Sequence, residues 1–363
     1  MIPYSSHNWF FFMTICAFVC AFIMCLRSRK QMLRGNKYPI LGIILLILSW
    51  WYTGVRPINK EGDSALYSTI YNLVLRHEWT DIKGFESEGF WATVEYACLN
   101  ARMSASQWFQ VIAGFYFFGF GVAIWKWMRR NFTSAFIFTI SAMSFWAYAT
   151  NGLRSGMAAA LGTAGLAFFT NAKNPKDILS IAIAVTLMFL SSITHNSMWL
   201  FFAASLAAWL LPSKKMPYYV WGVCLLLSPL SGSLIMELGE ELISDMRLAY
   251  YQDADMTIFS RNGWRWDFIL YSTIPVVWSW YIINKRKLAD KRYIIITEVY
   301  VLCNAAWLLV NSVPFSNRFA YISWCIYPFV MCYPLFKMRI SKYQGLIGGA
   351  MLAFFTVFTL LLA

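Results

Sequence analysis

Four residues in this sequence combine charge or a titratable group with apolar surroundings, and together they suit chemistry on an anionic substrate. Arg154 and Arg318 each open an apolar helical pattern after a run of Asn, Gly, Ser or Pro. His195 lies in a short polar run between two apolar stretches, and Asp63 precedes a further helical pattern. Guanidinium groups bind phosphate oxygens bidentately, while imidazole and carboxylate groups accept protons. The four residues predict a site that binds phosphate and moves one proton.

Each of these residues also has an ordinary structural interpretation. An arginine at a helix start can extend to lipid headgroups, and a histidine in a helix-joining turn can simply satisfy that turn. Asp63, after a glycine and before a helical pattern, suits an N-cap. Arg261 and Arg265 bracket an Asn-Gly-Trp segment and could reach the same phosphate groups, but a solvated loop charge explains them equally well.

Metal and disulfide chemistry have little support in the sequence. The eight cysteines form no CxxC pair and no Cys/His cluster. The Asp253-Ala254-Asp255 run has the spacing of a metal motif but lies in a tyrosine-rich segment with no partner acid. We therefore predict that the protein uses no metal and no cofactor.

The elements that must position these residues are membrane helices. Of 363 residues 59% are hydrophobic and 19% are aromatic, and the mean hydropathy is +0.53, which excludes an ordinary soluble domain. Spans of about 20 apolar residues cross a bilayer. The sequence predicts an all-α polytopic membrane protein with twelve such spans: 8–26, 38–55, 107–125, 132–150, 153–170, 178–194, 196–211, 217–235, 266–284, 293–311, 317–336 and 343–362.

The basic residues predict the orientation of these spans. With both termini outside, the six inner loops hold 20 of the 30 Lys and Arg residues and only two acids, Asp177 and Asp290. Loops rich in Lys and Arg stay in the cytoplasm. The formal charge of +13 is therefore explained by orientation in a bacterial inner membrane, with no nucleic acid as partner.

The predicted outer side, facing the periplasm or cell exterior, carries all the candidate residues and two long segments, 56–106 and 236–265. Long ordered segments are usually functional. The first suits a short helix with Leu66, Ile70 and Val74 on one face. The second spaces Leu238, Leu242, Met246 and Tyr250 four apart, as in an amphipathic surface helix. No repeat or linker divides residues 1–363, so we predict a single transmembrane domain.

Several short motifs resemble those of the EpsG family, which belongs with the Wzy-type polysaccharide polymerases. The run GDSALYSTIY, beginning at Gly62, resembles the family's Gly-Asp-x-x-x-Tyr pattern, and the segment around Glu88-Gly89-Phe90 resembles its acidic-x-Gly-Phe segment. NGLRSGMAAALGTAGLAFF resembles its Arg-led helix, SSITHNSMWLFF its His-containing helix, and NRFAYI a further arginine motif. These matches are colinear over about residues 55 to 325.

The resemblance implies a glycosyltransferase with a bundle similar to the GT-C type. Such an enzyme moves a glycan from undecaprenyl diphosphate to the non-reducing end of another lipid-linked repeat unit, making O-antigen, capsule or exopolysaccharide. It uses no nucleotide sugar, and the family works with a co-polymerase that sets chain length. Arginines 154, 318, 261 and 265 would hold the diphosphate, and His195 or Asp63 would be the base in an inverting reaction. We assign glycan contacts to Tyr67, Tyr71, Asn151, Asn196 and Tyr321.

Three other functions compete with this interpretation. A flippase or transporter for lipid-linked oligosaccharide needs a polar path open to both faces, whereas here only Glu298 lies inside a span. A GT-C enzyme using a polyprenyl-phosphate sugar would share the fold and is distinguished by its single-sugar donor. A membrane acyltransferase could use His195 but would take its donor from the cytoplasmic side.

Overall fold

The computed structural model describes residues 7–36, 38–58, 63–76, 89–172, 177–211, 213–242, 264–287, 290–312 and 316–362. These residues form helices and connecting turns, without a strand in any described segment. They group into two compact units, one of Met1–Phe202 with Pro328–Ala363 and one of Ala203–Tyr327. The single-domain organisation stays a prediction.

The helices are numbered in chain order. They are α1 (His7–Leu26), α2 (Arg29–Arg34), α3 (Ile40–Gly54), α4 (Asp63–Leu75), α5 (Gly89–Asn100), α6 (Ala105–Met128), α7 (Phe132–Ile140), α8 (Met143–Thr150), α9 (Leu153–Asn171), α10 (Ile178–Thr194), α11 (Met198–Leu210), α12 (Met216–Leu242), α13 (Trp266–Trp280), α14 (Lys291–Leu309), α15 (Asn317–Trp324), α16 (Tyr327–Lys337) and α17 (Gln344–Leu362). A 3₁₀ turn, Arg129–Asn131, follows α6, and a π-helical turn, Tyr281–Lys285, follows α13.

Every predicted span contains a helix at the expected place, but two are broken. The span 132–150 divides into α7 and α8, where Ala142 takes an extended conformation with ψ 138°. The span 317–336 divides into α15 and α16. Pro328 lacks the N–H that a continuous helix would bond to the Trp324 carbonyl, which explains the second break.

The apolar helices make this a multi-pass membrane protein. Among the described residues, five helical segments are long and apolar enough to cross a membrane: Trp9–Leu26, Ala105–Ile140, Lys291–Leu309, Phe319–Lys337 and Gln344–Leu361. Four shorter apolar helices accompany them: Ile40–Gly54, Ile178–Thr194, Met198–Leu210 and Met216–Ser231. The count of twelve crossings stays a prediction.

The first predicted outer segment contains two helices. The expected helix is confirmed as α4, but its apolar stripe does not form the buried face, since Leu66 is exposed while Ser64, Ser68 and Tyr71 are buried. Helix α5, Gly89–Asn100, has no counterpart in the predicted elements. Its mixed composition, with Glu95 among aromatic residues, gives no clear period.

The second predicted outer segment is described only at its ends. Helix α12 continues through Leu238 to Leu242, so the start of the expected amphipathic helix prolongs the preceding span. Residues 243–263, which include Met246, Tyr250 and Arg261, lie outside the described residues.

Small side chains bring two helices of the first unit, α9 and α10, close together. A Cβ at Gly162 of α9 would lie 3.0 Å from the Ser191 Oγ of α10, and one at Gly165 would lie 3.0 Å from the Ala184 carbonyl oxygen. Ser191 donates across the helix pair to the Ala158 carbonyl oxygen at 2.7 Å. Close approach of this kind is typical of helices packed in membranes. It fixes the beginning of α9 against the end of α10.

Candidate functional site

The connection between α8 and α9, residues 150–154, is a tight turn that we call the 150–154 turn. Backbone N–H groups of Asn151 and Gly152 both donate to the Ala147 carbonyl oxygen at 3.0 Å, and Leu153 N–H donates to the Asn151 carbonyl oxygen at 2.8 Å. A Cβ at Gly152 would lie 2.9 Å from the Tyr148 ring. The turn therefore needs glycine at this position to bring Asn151 and Arg154 close together.

Arg154, in the first turn of α9, joins this turn to the end of α10. Its Nε donates to the Thr194 carbonyl oxygen at 2.9 Å, and the side chain is half-buried. No other hydrogen bond or ion pair ties its guanidinium to the described residues. The two terminal nitrogens therefore keep their N–H groups for a ligand, and a planar pair of donors matches two phosphate oxygens.

Asn151 joins the same turn to the beginning of α4. Its Oδ1 accepts a hydrogen bond from the Ser64 backbone N–H at 3.4 Å, so it serves one of the free N–H groups at the start of that helix. Asp63, the first residue of α4, is half-buried beside this contact. The motif with Asp63 and the motif with Arg154 therefore meet.

His195 directly follows the carbonyl that Arg154 binds. It ends α10 in an extended conformation, its N–H donates to the Ser191 carbonyl oxygen at 3.1 Å, and its ring is half-buried. Nδ1 lies 2.7 Å from the Ser197 Oγ, a contact that orients the imidazole. Asn196 beside it is exposed. The Arg154 motif and the His195 motif are thus joined by the bond from Arg154 to Thr194 as well as by the bond from Ser191 to Ala158.

Gly89 brings the fourth motif to the same place. Its φ is +64°, and a Cβ there would overlap the Ile193 carbonyl oxygen, so helix α5 begins in direct contact with the end of α10. Left-handed backbone and such close approach both favour glycine. Four motifs separated in sequence therefore converge on the 150–154 turn and the end of α10.

An aromatic cluster supports these outer helices. Tyr71 is fully buried, stacks on Trp108 with ring centroids 4.5 Å apart, and donates to the Met103 carbonyl oxygen at 3.0 Å. Tyr67 is half-buried, 5.4 Å from the Trp91 ring. Leu153, in the 150–154 turn, belongs to the same hydrophobic cluster, so the cluster reaches that turn. In this structure Tyr71 packs the interior, whereas Tyr67 is partly exposed; the glycan contacts of both residues stay predictions.

The remaining candidates belong to the second unit. Arg265 donates to both carboxylate oxygens of Asp267, at 2.8 and 2.6 Å, and lies over the Phe268 ring. Its charge is thus balanced within the first turn of α13. Binding of a diphosphate would require this pair to open.

Arg318 is the second residue of α15, and its side chain is outside the described part of the chain. Two residues before Arg318, the Ser316 Oγ donates to the Asn311 carbonyl oxygen at 2.9 Å. The Asn311 side-chain amide is buried and has no hydrogen-bond partner among the described residues. Tyr321 is half-buried, 5.3 Å from the Trp324 ring. The roles of Arg318 and Tyr321 stay predictions.

Two residues near the site were missed in the sequence. Arg56, just beyond α3, is buried and donates to the Thr150 carbonyl oxygen at 2.6 Å. Glu95 is a buried acid on α5. The pKa of the Tyr71 hydroxyl is raised above its ordinary value, mainly by burial and to a lesser extent by the charges of Cys98 and Glu95. The hydroxyl therefore stays protonated and acts as a hydrogen-bond donor. Arg56 could have been suspected only as a charge directly after an apolar span.

Within the described ranges, no three His, Cys, Asp or Glu side chains come together as a metal site requires. Metal independence stays a prediction.

The described residues define a helical, multi-pass membrane protein in which Arg154, without a described carboxylate partner, bonds to the backbone next to His195. The chain belongs to the EpsG family, whose model matches residues 39–363 and confirms the resemblance seen in the motifs. At the level of the family this is a membrane enzyme of the polysaccharide polymerase type. No curated protein and no solved structure matches the chain.

Proposed function

We propose that this protein polymerises lipid-linked oligosaccharide repeat units, moving the growing glycan from undecaprenyl diphosphate to the non-reducing sugar of the next unit. The observation that carries the proposal is the hydrogen bond between Arg154 and the residue before His195. In this contact the Arg154 guanidinium bonds to the backbone next to His195, whose imidazole can accept a proton, and its terminal nitrogens bond to no other described residue. A diphosphate leaving group and a hydroxyl nucleophile need those two functions.

The bond changes follow from these groups. The acceptor hydroxyl oxygen attacks C1 of the donor sugar, and the bond from C1 to the diphosphate oxygen breaks with inversion. The diphosphate leaves with the electron pair and needs no proton, because it is already a stable anion. Arg154 stabilises the charge that develops on its oxygens, as donors aimed at a developing anion do. Arg318 would contribute a second guanidinium.

His195 is our choice for the base that takes the acceptor proton. Ser197 orients its ring, and the Arg154 contact to Thr194 holds the adjoining backbone. Asp63 then orients the acceptor or its own helix, with Asn151 and Asn196 as glycan contacts. No cofactor takes part in this reaction.

The charge distribution supports a location for the reaction. The basic loops favour a bacterial inner membrane with both termini outside and the 150–154 turn on the periplasmic or exterior face. The lipid tail then stays in the bilayer while its headgroup reaches the site. A co-polymerase that sets chain length is the partner we expect.

The test uses purified protein and a lipid-linked repeat unit without nucleotide sugar. We expect a ladder of polymers from the wild type and, at equal protein amount and over the same short reaction time, mainly single repeats from Arg154→Gln, whose slow turnover is measured over longer times. Arg76→Gln, which changes an exposed arginine after α4, is the matched control and keeps the ladder. Movement of substrate across vesicles without a ladder would support the flippase, and turnover of a polyprenyl-phosphate monosaccharide would support the other glycosyltransferase.

A further inference from the structure

Arg56 is a buried cation held by backbone groups alone. Its side chain is only 5% exposed, although it lies in a segment with polar sequence. One terminal nitrogen donates to the Thr53 carbonyl oxygen at the end of α3, and the other donates to the Thr150 carbonyl oxygen at 2.6 Å. Arg56 therefore joins the end of α3 to the end of α8, through Thr150, which lies 94 residues further along the chain.

The charge of Arg56 is not balanced by any described carboxylate. Its guanidinium carbon also lies 5.7 Å from the centre of the Phe109 ring, and it forms no ion pair with any described residue. Burial lowers the pKa of Arg56 to about 10, so the group stays charged at neutral pH. Burying a charge costs free energy unless the group is well hydrogen-bonded. We therefore expect the buried guanidinium of Arg56 to have a specific role.

The carbonyl that Arg56 binds belongs to the last residue of α8. Helix C-termini leave carbonyl oxygens without partners and favour cations. The next residue is Asn151, which bonds to Ser64, and Arg154 follows within the same turn and bonds to Thr194. The 150–154 turn is therefore held from three sides, by the end of α3, the start of α4 and the end of α10.

We propose that Arg56 is a positioning residue for the reaction proposed above, which holds the end of α8 so that Arg154 meets the diphosphate in the right place. The inference rests on that proposed function. Arg56 is too deeply buried to touch the substrate, and it acts through the 150–154 turn.

The test compares Arg56→Lys and Arg56→Gln in the polymerisation assay at pH 7 and pH 9. Burial lowers the pKa of a lysine below its ordinary value of about 10.4. The lysine variant should keep activity within about threefold of wild type at pH 7 and lose a further tenfold relative to wild type at pH 9. The wild-type arginine remains mainly charged at both pH values. The glutamine variant should lose at least tenfold in kcat at both.

A double variant separates positioning from a general loss of folding. If Arg56 acts through Arg154, the further loss of activity that Arg56→Lys shows at pH 9 should vanish when Arg154 is already changed to Gln. The effects of two substitutions are not additive when the residues interact. An undiminished loss in that background would overturn the proposal. So would a glutamine variant with wild-type kcat, or losses that only follow the folded fraction measured by thermal unfolding.

Binding of farnesyl diphosphate distinguishes the failure of this inference from the failure of the proposed function. If the wild type polymerises repeat units but the Arg56 variants keep their kcat, the positioning role is wrong. If the wild type makes no polymer yet binds the probe several-fold more tightly than Arg56→Gln does, the proposed reaction is wrong while Arg56 still organises an anion site.

Discussion

The two units hold their arginines in different ways. In the first unit, Arg56 and Arg154 donate to backbone carbonyl oxygens, which satisfy N–H groups without cancelling the positive charge. In the second unit, Arg265 forms a two-point ion pair with Asp267 inside one helical turn. A carboxylate partner removes the net charge that would attract an anion. We therefore propose the diphosphate site at Arg154 from the kind of partner that this arginine has, more than from its presence on the predicted outer side.

The largest effect should come from His195, because removing a general base typically costs about 10²–10⁴-fold in rate. His195→Gln should lower kcat by that order and leave binding of farnesyl diphosphate unchanged. Ser197→Ala, which removes only the hydroxyl beside Nδ1, should cost much less. Steady-state kinetics with lipid-linked repeats measure both. A kcat within twofold of wild type for His195→Gln would remove it as the base.

Arg154→Gln should have the second-largest effect. We expect a loss of about 10²–10³-fold in kcat, as is typical when one donor to a developing anion is removed. It should also weaken binding of the diphosphate probe, whereas His195→Gln should not. Arg76→Gln serves as the exposed control in the same assay. Equal losses for Arg154→Gln and Arg265→Gln would break the distinction between the two units.

Gly89→Ala tests whether the start of α5 must lie against the end of α10. Left-handed backbone costs a non-glycine residue about 1–2 kcal/mol, and the new Cβ would also overlap the Ile193 carbonyl oxygen. We expect a lower thermal midpoint in detergent together with reduced kcat. Gly222→Ala is the matched control, since a Cβ there meets nothing within 4 Å. A Gly89→Ala protein with wild-type stability and activity would contradict this packing.

The smallest effects should come from the ion pair of the second unit. Arg265→Gln and Asp267→Asn should each change kcat less than threefold, because a half-exposed pair within one turn contributes about 0–1 kcal/mol. If Arg265 instead binds the diphosphate, the two variants will differ: loss of the arginine will abolish polymerisation, while loss of the aspartate will free the arginine and strengthen binding.

The positions of the helices were predictable because long apolar runs in a membrane protein form helices within the bilayer. The breaks before Met143 and Tyr327 were not predictable, since they depend on local backbone conformation and on Pro328. The convergence of the motifs around Arg154 and His195 was expected only from their predicted side of the membrane. The role of Arg56 could not be read from spacing, because its partner Thr150 is far away in sequence. The pair of Arg265 with Asp267, two residues apart, could have been noticed.

Photo-crosslinking with a short isoprenyl diphosphate, carrying a diazirine next to the phosphates, tests the central claim most directly. The purified full-length protein is irradiated with the probe, and the modified peptides are mapped by mass spectrometry. We predict labelling of the 150–154 turn and of residues 194–197, reduced at least tenfold in Arg154→Gln. Labelling confined to residues 264–267, with the 150–154 turn unmodified, would contradict the account.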